Sequence, residues 1–262
     1  MAFTSVTSAA TTFSNMLLII LENTDYSSAI ADPNLKSFAS SGVLFSNWDA
    51  IGHPSQPNYI AITSGSTNGV TSDSTITINV KNVADLLETK GLTWKSYQEN
   101  WPGNCFTGTE STDGLYFRKH NPFISYTDIQ QNSTRCAKIV DASQLSTDIS
   151  NGQLPTFAWY TPNINNDGHN TNVTFAGNWL KGFLASTSVT SHFDVVLVTF
   201  DETEAQTGPN HVYTAIAGKA VTNKGATVST ALTHYSVLAT LEANFGLGNL
   251  GKNDVTATPF PL

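Results

Sequence analysis

Along the chain, short unbroken apolar runs alternate with stretches of helical spacing. Met16–Leu21 is continuously apolar, as in a strand covered on both faces, and it stops at Glu22-Asn23. Phe193–Phe200, carrying Asp194-Val195-Val196-Leu197-Val198-Thr199, is the second strongest strand and ends at Asp201-Glu202. Val43–Trp48, Leu92–Tyr97 and Thr156–Thr161 read as further strands, and His211–Ala217 as a strand or hairpin arm. Helical spacing falls on Asn34–Ser41, Val83–Lys90, Ser143–Ile149, Trp179–Leu184 and Leu232–Phe245, with glycines closing the first two and the last. This alternation predicts an α/β fold with a largely parallel sheet, as one domain over residues 1–262. The Ser/Thr-rich first dozen residues read as a tail or edge element and the Pro-rich C-terminus as a surface segment. Ser66–Thr75, Glu99–Gln131 and Pro162–Thr174 have no period and read as loops. Long loops in a compact domain are often functional.

One loop carries its own signal. In Gly52–Gly65, Pro54 favours extended backbone before it, Ser55 suits an N-cap, Pro57 a first helical turn and Gly65 a stop. Ser55 is therefore expected at the positive end of a short helix, a setting that attracts anions and lowers the cost of an alkoxide.

Composition narrows the function classes. Only 12% of residues are charged and the net charge is −8, with Ser, Thr and Asn forming the polar surface. That sign excludes binding of nucleic acid by phosphate neutralisation and disfavours anionic membranes. The densest basic pair is Arg118-Lys119. Cys105 and Cys136 are too far apart for a CxxC motif and are expected to form a disulfide in an oxidising compartment, two buried thiols being the alternative. Asn132-Ser133-Thr134 and Asn172-Val173-Thr174 match the glycosylation pattern. Together these features predict a secreted glycoprotein. Met16–Leu21 lacks a basic flank and is not a leader, so secretion would mean that a leader has been removed from this sequence. No segment is long enough to span a membrane.

In open α/β sheets, ligands gather beyond the carboxyl ends of the strands. Glu22 and Asn23, Ser55, Asp167 and His169, and Asp201 and Glu202 fall there. Any one of these carboxylates could be an ordinary solvated charge. The set Glu22, Asn23, Ser55, Asp201 and Glu202 is all oxygen and suits a divalent ion: Mg²⁺, Ca²⁺ or Mn²⁺, with Zn²⁺ also compatible. A metal there would stabilise a Ser55 alkoxide. Asn58, one helical turn on, is placed to donate to the same phosphoryl oxygen, and His120 and His169 are the candidates for proton transfer. His53 is expected to fix the Ser55 loop, His211 to begin a strand and His234 to pack within the last helix.

The motifs Leu21-Glu22-Asn23, His53-Pro54-Ser55-Gln56-Pro57-Asn58-Tyr59, Lys119-His120-Asn121-Pro122-Phe123, Asn166-Asp167-Gly168-His169-Asn170, Thr199-Phe200-Asp201-Glu202 and His234-Tyr235-Ser236-Val237-Leu238 resemble the phosphoesterase family. That family groups fungal and bacterial acid phosphatases with bacterial phospholipases C, within the alkaline-phosphatase-like superfamily. The resemblance implies a three-layer αβα sandwich and a phosphoserine at Ser55. It also implies metal contacts from Glu22, Asn23, Ser55, Asp201 and Glu202, with Asn58, His120, Asp167 and His169 around the phosphoryl group. The Asp-His-Gly motif of two-zinc relatives is absent, and Asn170 stands where many relatives carry Asp.

The reading that follows is a secreted, monomeric, metal-dependent acid phosphatase acting on phosphate monoesters. A phospholipase C is the alternative, the only one of these readings that would bring the protein to a membrane; its acyl-chain entrance would come from the aromatics between Trp94 and Phe123, which serve equally as core. A non-enzymatic glycan- or surface-binding protein is the third reading, and it leaves the clustered acids unexplained.

Overall fold

The structure is a computed structural model that describes residues 12–262. The expected N-terminal tail lies outside the described residues except for Thr12, whose N–H and hydroxyl donate to Asn244 Oδ1. In chain order the strands are β1 Met16–Leu21, β2 Val43–Phe45, β3 Trp48–Asp49, β4 Trp94–Gln98, β5 Ile139–Asp141, β6 Phe157–Thr161, β7 Val195–Phe200, β8 Thr214–Ala217, β9 Ala226–Val228 and β10 Leu232–Thr233. Eight of them form one sheet in the order β5-β4-β6-β1-β7-β8-β2-β9. Only β8 runs antiparallel to its neighbours among the described strands. β1 and β7 are buried along their whole length, as continuous apolar runs require between two helical layers. On one side the helices Tyr26–Ala31, Pro33–Ser40 and Val173–Thr187 pack on one another, and elsewhere Ser55–Ser64 packs on Tyr235–Phe245. The architecture is the expected αβα arrangement around a mostly parallel sheet.

Register positions the chemistry. Leu21 of β1 pairs with Phe200 of β7, so Glu22 and Asp201 leave the sheet side by side. β6 flanks β1 on its other side and feeds the loop that carries Asp167 and His169.

Four expectations change. Val43–Trp48 is two strands, because β3 leaves the main sheet to pair with β10 in a separate ribbon. β10 takes the first residues expected of the last helix, which begins at Tyr235. The helix expected from Trp179 starts at Val173, since Asn172 caps it by accepting from Phe175 N at 3.0 Å. Phe175 is 46% exposed, and an outward aromatic in the first turn masks the amphipathic pattern. The C-terminal segment is not all surface: Phe260 is buried against Phe45 and Trp48.

Cys105 and Cys136 form the expected disulfide, tying the aperiodic 99–131 stretch to the short Ser133–Cys136 helix. The same stretch is pinned by buried Arg118, whose guanidinium donates to the carbonyls of Thr107, Ile76 and Ile124. Of its aromatics and those just before it, Trp94, Tyr97, Trp101, Tyr116 and Phe123 are buried. These five belong to the core, while Phe106 and Phe117 are half-buried.

Candidate active site

The loop 51–54 builds the Ser55 corner. Ser55 is the first residue of a ten-residue helix buried throughout, and Pro54, not Ser55, is its N-cap. Gly65 closes the helix with left-handed backbone at φ 69°. With no capping bond to make, Ser55 Oγ turns to acids: it lies 2.9 Å from Glu22 Oε2 and 3.4 Å from Glu202 Oε1. The N–H of Gln56 donates to Asp73 Oδ1 at 2.9 Å.

Asn58, expected to donate to a phosphoryl oxygen, is instead engaged by the loop. Its Oδ1 accepts from Ile51 N at 2.9 Å and Gly52 N at 3.1 Å. Its Nδ2 donates to Gly52 O at 2.8 Å and Pro54 O at 3.3 Å. A buried amide satisfied in this way holds the turn that presents Ser55.

The acids converge at the ends of β1 and β7. Asp201 N donates to Leu21 O at 2.9 Å, and Asn23 N donates to Asp201 Oδ1 at 3.0 Å. Asn23 has φ 46°, left-handed backbone that asparagine tolerates. Glu22 and Asp201 are fully buried and Glu202 nearly so. Asp201 Oδ2 and Asn23 Oδ1 are buried without a hydrogen-bond partner among the described residues. On the other side of Glu22, the Tyr59 hydroxyl donates to Oε1 and His120 Nε2 approaches Oε2 at 3.3 Å. His120 Nδ1 lies 3.5 Å from Asp167 Oδ2, and its ring stacks on Tyr59 at 5.3 Å.

So many buried acids cannot all be charged. Burial, then the charge on Glu22, pushes Asp201 and Asp167 well above the usual carboxylate range. Burial, then Glu22 and Asp73, raises Glu202 to about 8. Glu22 goes the other way: burial opposes ionisation, but His120, Lys119 and the Tyr59 hydroxyl outweigh it and hold the group at about 2. His53 Nδ1 lies 2.5 Å from Glu202 Oε2, and burial lowers the imidazole's pKa, so the two groups share a proton.

The chemistry of the set expected to hold a cation suits a divalent ion. Glu22, Asn23, Ser55, Asp201 and Glu202 present oxygens, two of them orphaned, and a cation would displace the protons that burial keeps on the acids. Ligand atoms of Glu22, His120 and Asp167 also lie within 4.8 Å of one another, so Glu22 is shared between two possible cradles.

Positive charge comes from Lys119. Its Nζ donates to Asp73 Oδ2 at 2.9 Å and to His169 Nε2 at 3.2 Å. Burial alone would lower its pKa, but Glu22, Asp73 and Asp201 raise it. Because Lys119 can only donate, His169 accepts at Nε2 and donates from Nδ1 to Asn170 Oδ1 at 2.9 Å. Asn170 therefore sets the ring of His169. Asp167 Oδ1 accepts from His169 N at 2.8 Å, and Asp167 O accepts from Glu22 N at 2.9 Å.

The remaining histidines divide. Burial lowers His234 to about 4. As a neutral ring it accepts from Trp48 Nε1 at 3.2 Å and donates to Asp201 O at 2.7 Å, fixing the strand end. His211 stacks on Tyr26 at 4.2 Å and is bridged to Asp49, ahead of β8. His192 is exposed. Sequence reasoning missed Tyr59, Lys119 and Asp73 as site residues. Tyr59 sits four residues after Ser55, the spacing that stacks side chains on one helix face. Lys119 adjoins His120, whereas Asp73 lies in a loop without pattern.

Known proteins resemble this chain in sequence and in fold. A sequence profile described as the Phosphoesterase family matches residues 24–248. An acid phosphatase of Aspergillus fumigatus is 39% identical over 94% of this chain and 58% of its own. A phosphate-repressible acid phosphatase of Penicillium chrysogenum is also 39% identical, over 94% and 62%. The chain thus spans about three-fifths of the length of these relatives. A phosphatidylinositol-3-phosphatase of Mycobacterium tuberculosis is 28% identical over 93% of this chain and 81% of its own. Among solved structures, a protein in the alkaline phosphatase superfamily from Vibrio parahaemolyticus superposes with TM-score 0.64 at 15% identity, covering 97% of this chain and 72% of that one.

Proposed function

The chain belongs to the phosphoesterase family, and from that premise we propose that it hydrolyses phosphate monoesters through a phosphoserine at Ser55. The observation that carries this reading is the Ser55 hydroxyl 2.9 Å from Glu22 Oε2, among buried acids with orphaned oxygens. Glu22, Asn23, Ser55, Asp201 and Glu202 would hold one divalent ion. Bound there, the ion would supply charge stabilisation for the serine oxygen and for a phosphoryl oxygen.

The chain's own groups do the rest. Ser55 Oγ gives its proton to Glu22 Oε2, the charged acid 2.9 Å away, and bonds to phosphorus as the ester oxygen leaves. Lys119, already raised in pKa and turned toward His169, holds the charge on the phosphoryl oxygens. A histidine protonates the leaving alkoxide, and His169 is the accessible one, since His120 is 2% exposed. To act as the acid, His169 must carry a proton on Nε2 in place of the bond it accepts there from Lys119. Water then attacks the phosphoserine, releasing phosphate and restoring Ser55.

Relatives carry the names acid phosphatase and phosphatidylinositol-3-phosphatase, which supports a phosphatase reading. The buried aromatics of residues 94–123 count against a phospholipase C entrance. The disulfide supports secretion. Ser55→Ala should lose turnover of a soluble aryl phosphate by at least about 10⁴-fold while keeping its melting temperature. Turnover within tenfold of the parent rejects the assignment.

A further inference from the structure

A cleft of about 620 Å³ opens beyond the carboxyl ends of β4, β5 and β6, on the far side of the 162–172 loop from the acids. One wall is aromatic: half-buried Trp179 stacks on Phe183 at 5.1 Å and 18°, and Tyr160 packs on Phe183 at 4.6 Å. The aromatic wall is fixed in place. Glu99 Oε1 accepts from Tyr160 OH at 2.9 Å and Trp179 Nε1 at 3.1 Å, while Oε2 accepts from Asn163 N at 2.9 Å and Asn166 Nδ2 at 2.6 Å. Four donors saturate that carboxylate, so it anchors the wall and is not free to hold a cation. The rim is amides, hydroxyls and the Asp141 carboxylate, whose Oδ1 accepts from Ser143 N and Oγ, and the described lining residues include no Lys, Arg or His. No cationic side chain there offers a phosphate or other anion a partner.

The helix itself is shaped to keep the cleft open. Gly182 lies inside Val173–Thr187, where glycine is disfavoured relative to alanine. Close packing does not explain it, because a Cβ there would meet nothing within 4 Å. By contrast, Gly177 of the same helix is forced, since its Cβ would meet Asp32 Oδ1 at 2.3 Å. A half-buried indole held in place beside amides, hydroxyls and an acceptor carboxylate, in an open cleft without cationic side chains, is suited to a polyhydroxylated ring: C–H groups against the aromatic wall, hydroxyls to the amides and to Asp141.

We propose that this cleft binds a neutral sugar ring, as a site separate from the acids around Ser55 and independent of the reading given for them. The test titrates the intact protein with maltotriose, mannotriose and chitotriose by calorimetry and saturation-transfer NMR, with choline chloride and inorganic phosphate as controls. Saturable binding of at least one trisaccharide is expected, weakened at least tenfold by Trp179→Ala and by Gly182→Leu. Gly182→Leu fills open space and should keep both the circular dichroism spectrum and the phosphatase turnover. Failure of all three sugars to bind, binding that neither variant weakens, or binding of choline alone would each overturn the proposal.

Discussion

Glu242 gives a prediction that can be worked through from structure to assay. It lies on the Tyr235–Phe245 helix, 8% exposed, facing Asp254, which is 3% exposed. Asp254 already accepts from Leu250 N at 2.6 Å and Lys252 N at 2.7 Å, and Glu242 Oε1 has no partner among the described residues. Burial, then the Asp254 charge and hydrogen bond, raises Glu242 from 4.5 to about 8. For an acid raised on folding, the native state keeps a proton that the unfolded chain releases. The contribution is complete below pH 4.5 and is lost as pH rises to about 8. Taken whole, that shift is about 4–5 kcal/mol. With water and side-chain relaxation near the chain's end, about 1–2 kcal/mol is expected. Glu242→Gln mimics the protonated acid. It should melt with the parent at pH 4 and about 3–6 °C above it at pH 8, measured by thermal circular dichroism. An equal offset at both pH values, or a parent that melts higher at pH 8, would refute the reasoning.

Two further predictions concern the Ser55 site. Asp201→Asn removes one acid of the cation set, so plasma-emission metal analysis after dialysis should find about one divalent ion per parent chain, far less in Asp201→Asn, and parental content in Asp167→Asn. Loss in Asp167→Asn with retention in Asp201→Asn would move the ion to the Glu22–His120–Asp167 cradle. Asn58→Ala strands two backbone donors, Ile51 N and Gly52 N, and should cost about 2–4 kcal/mol of stability in urea titrations. A variant as stable as the parent that loses only turnover would return Asn58 to the phosphoryl group.

The sheet was legible because β1 is apolar without interruption and β7 is apolar but for Thr199, a pattern that central parallel strands produce and few others do. The acids were legible for the same reason: Glu22 and Asp201 each follow such a run. What stayed hidden was carried by geometry between distant segments. β3 and β10 are two residues each, too short to have a period, and they pair only because the chain folds back. Asp73 reaches both Gln56 N and Lys119 from a loop of Ser and Thr. Asn58 looked like a ligand because its spacing from Ser55 fits one helix face, but spacing does not say whether an amide points out to a substrate or back into its own loop.

The central claim is that the Ser55 hydroxyl becomes esterified during turnover. Acid quench of the protein mixed with an aryl phosphate, followed by peptide mass spectrometry, tests it most directly. A single phosphoryl group on the peptide containing Ser55, absent from Ser55→Ala and from unmixed controls, is the result predicted. Steady turnover with no phosphoryl group on that peptide, or with the group on a histidine, would contradict it.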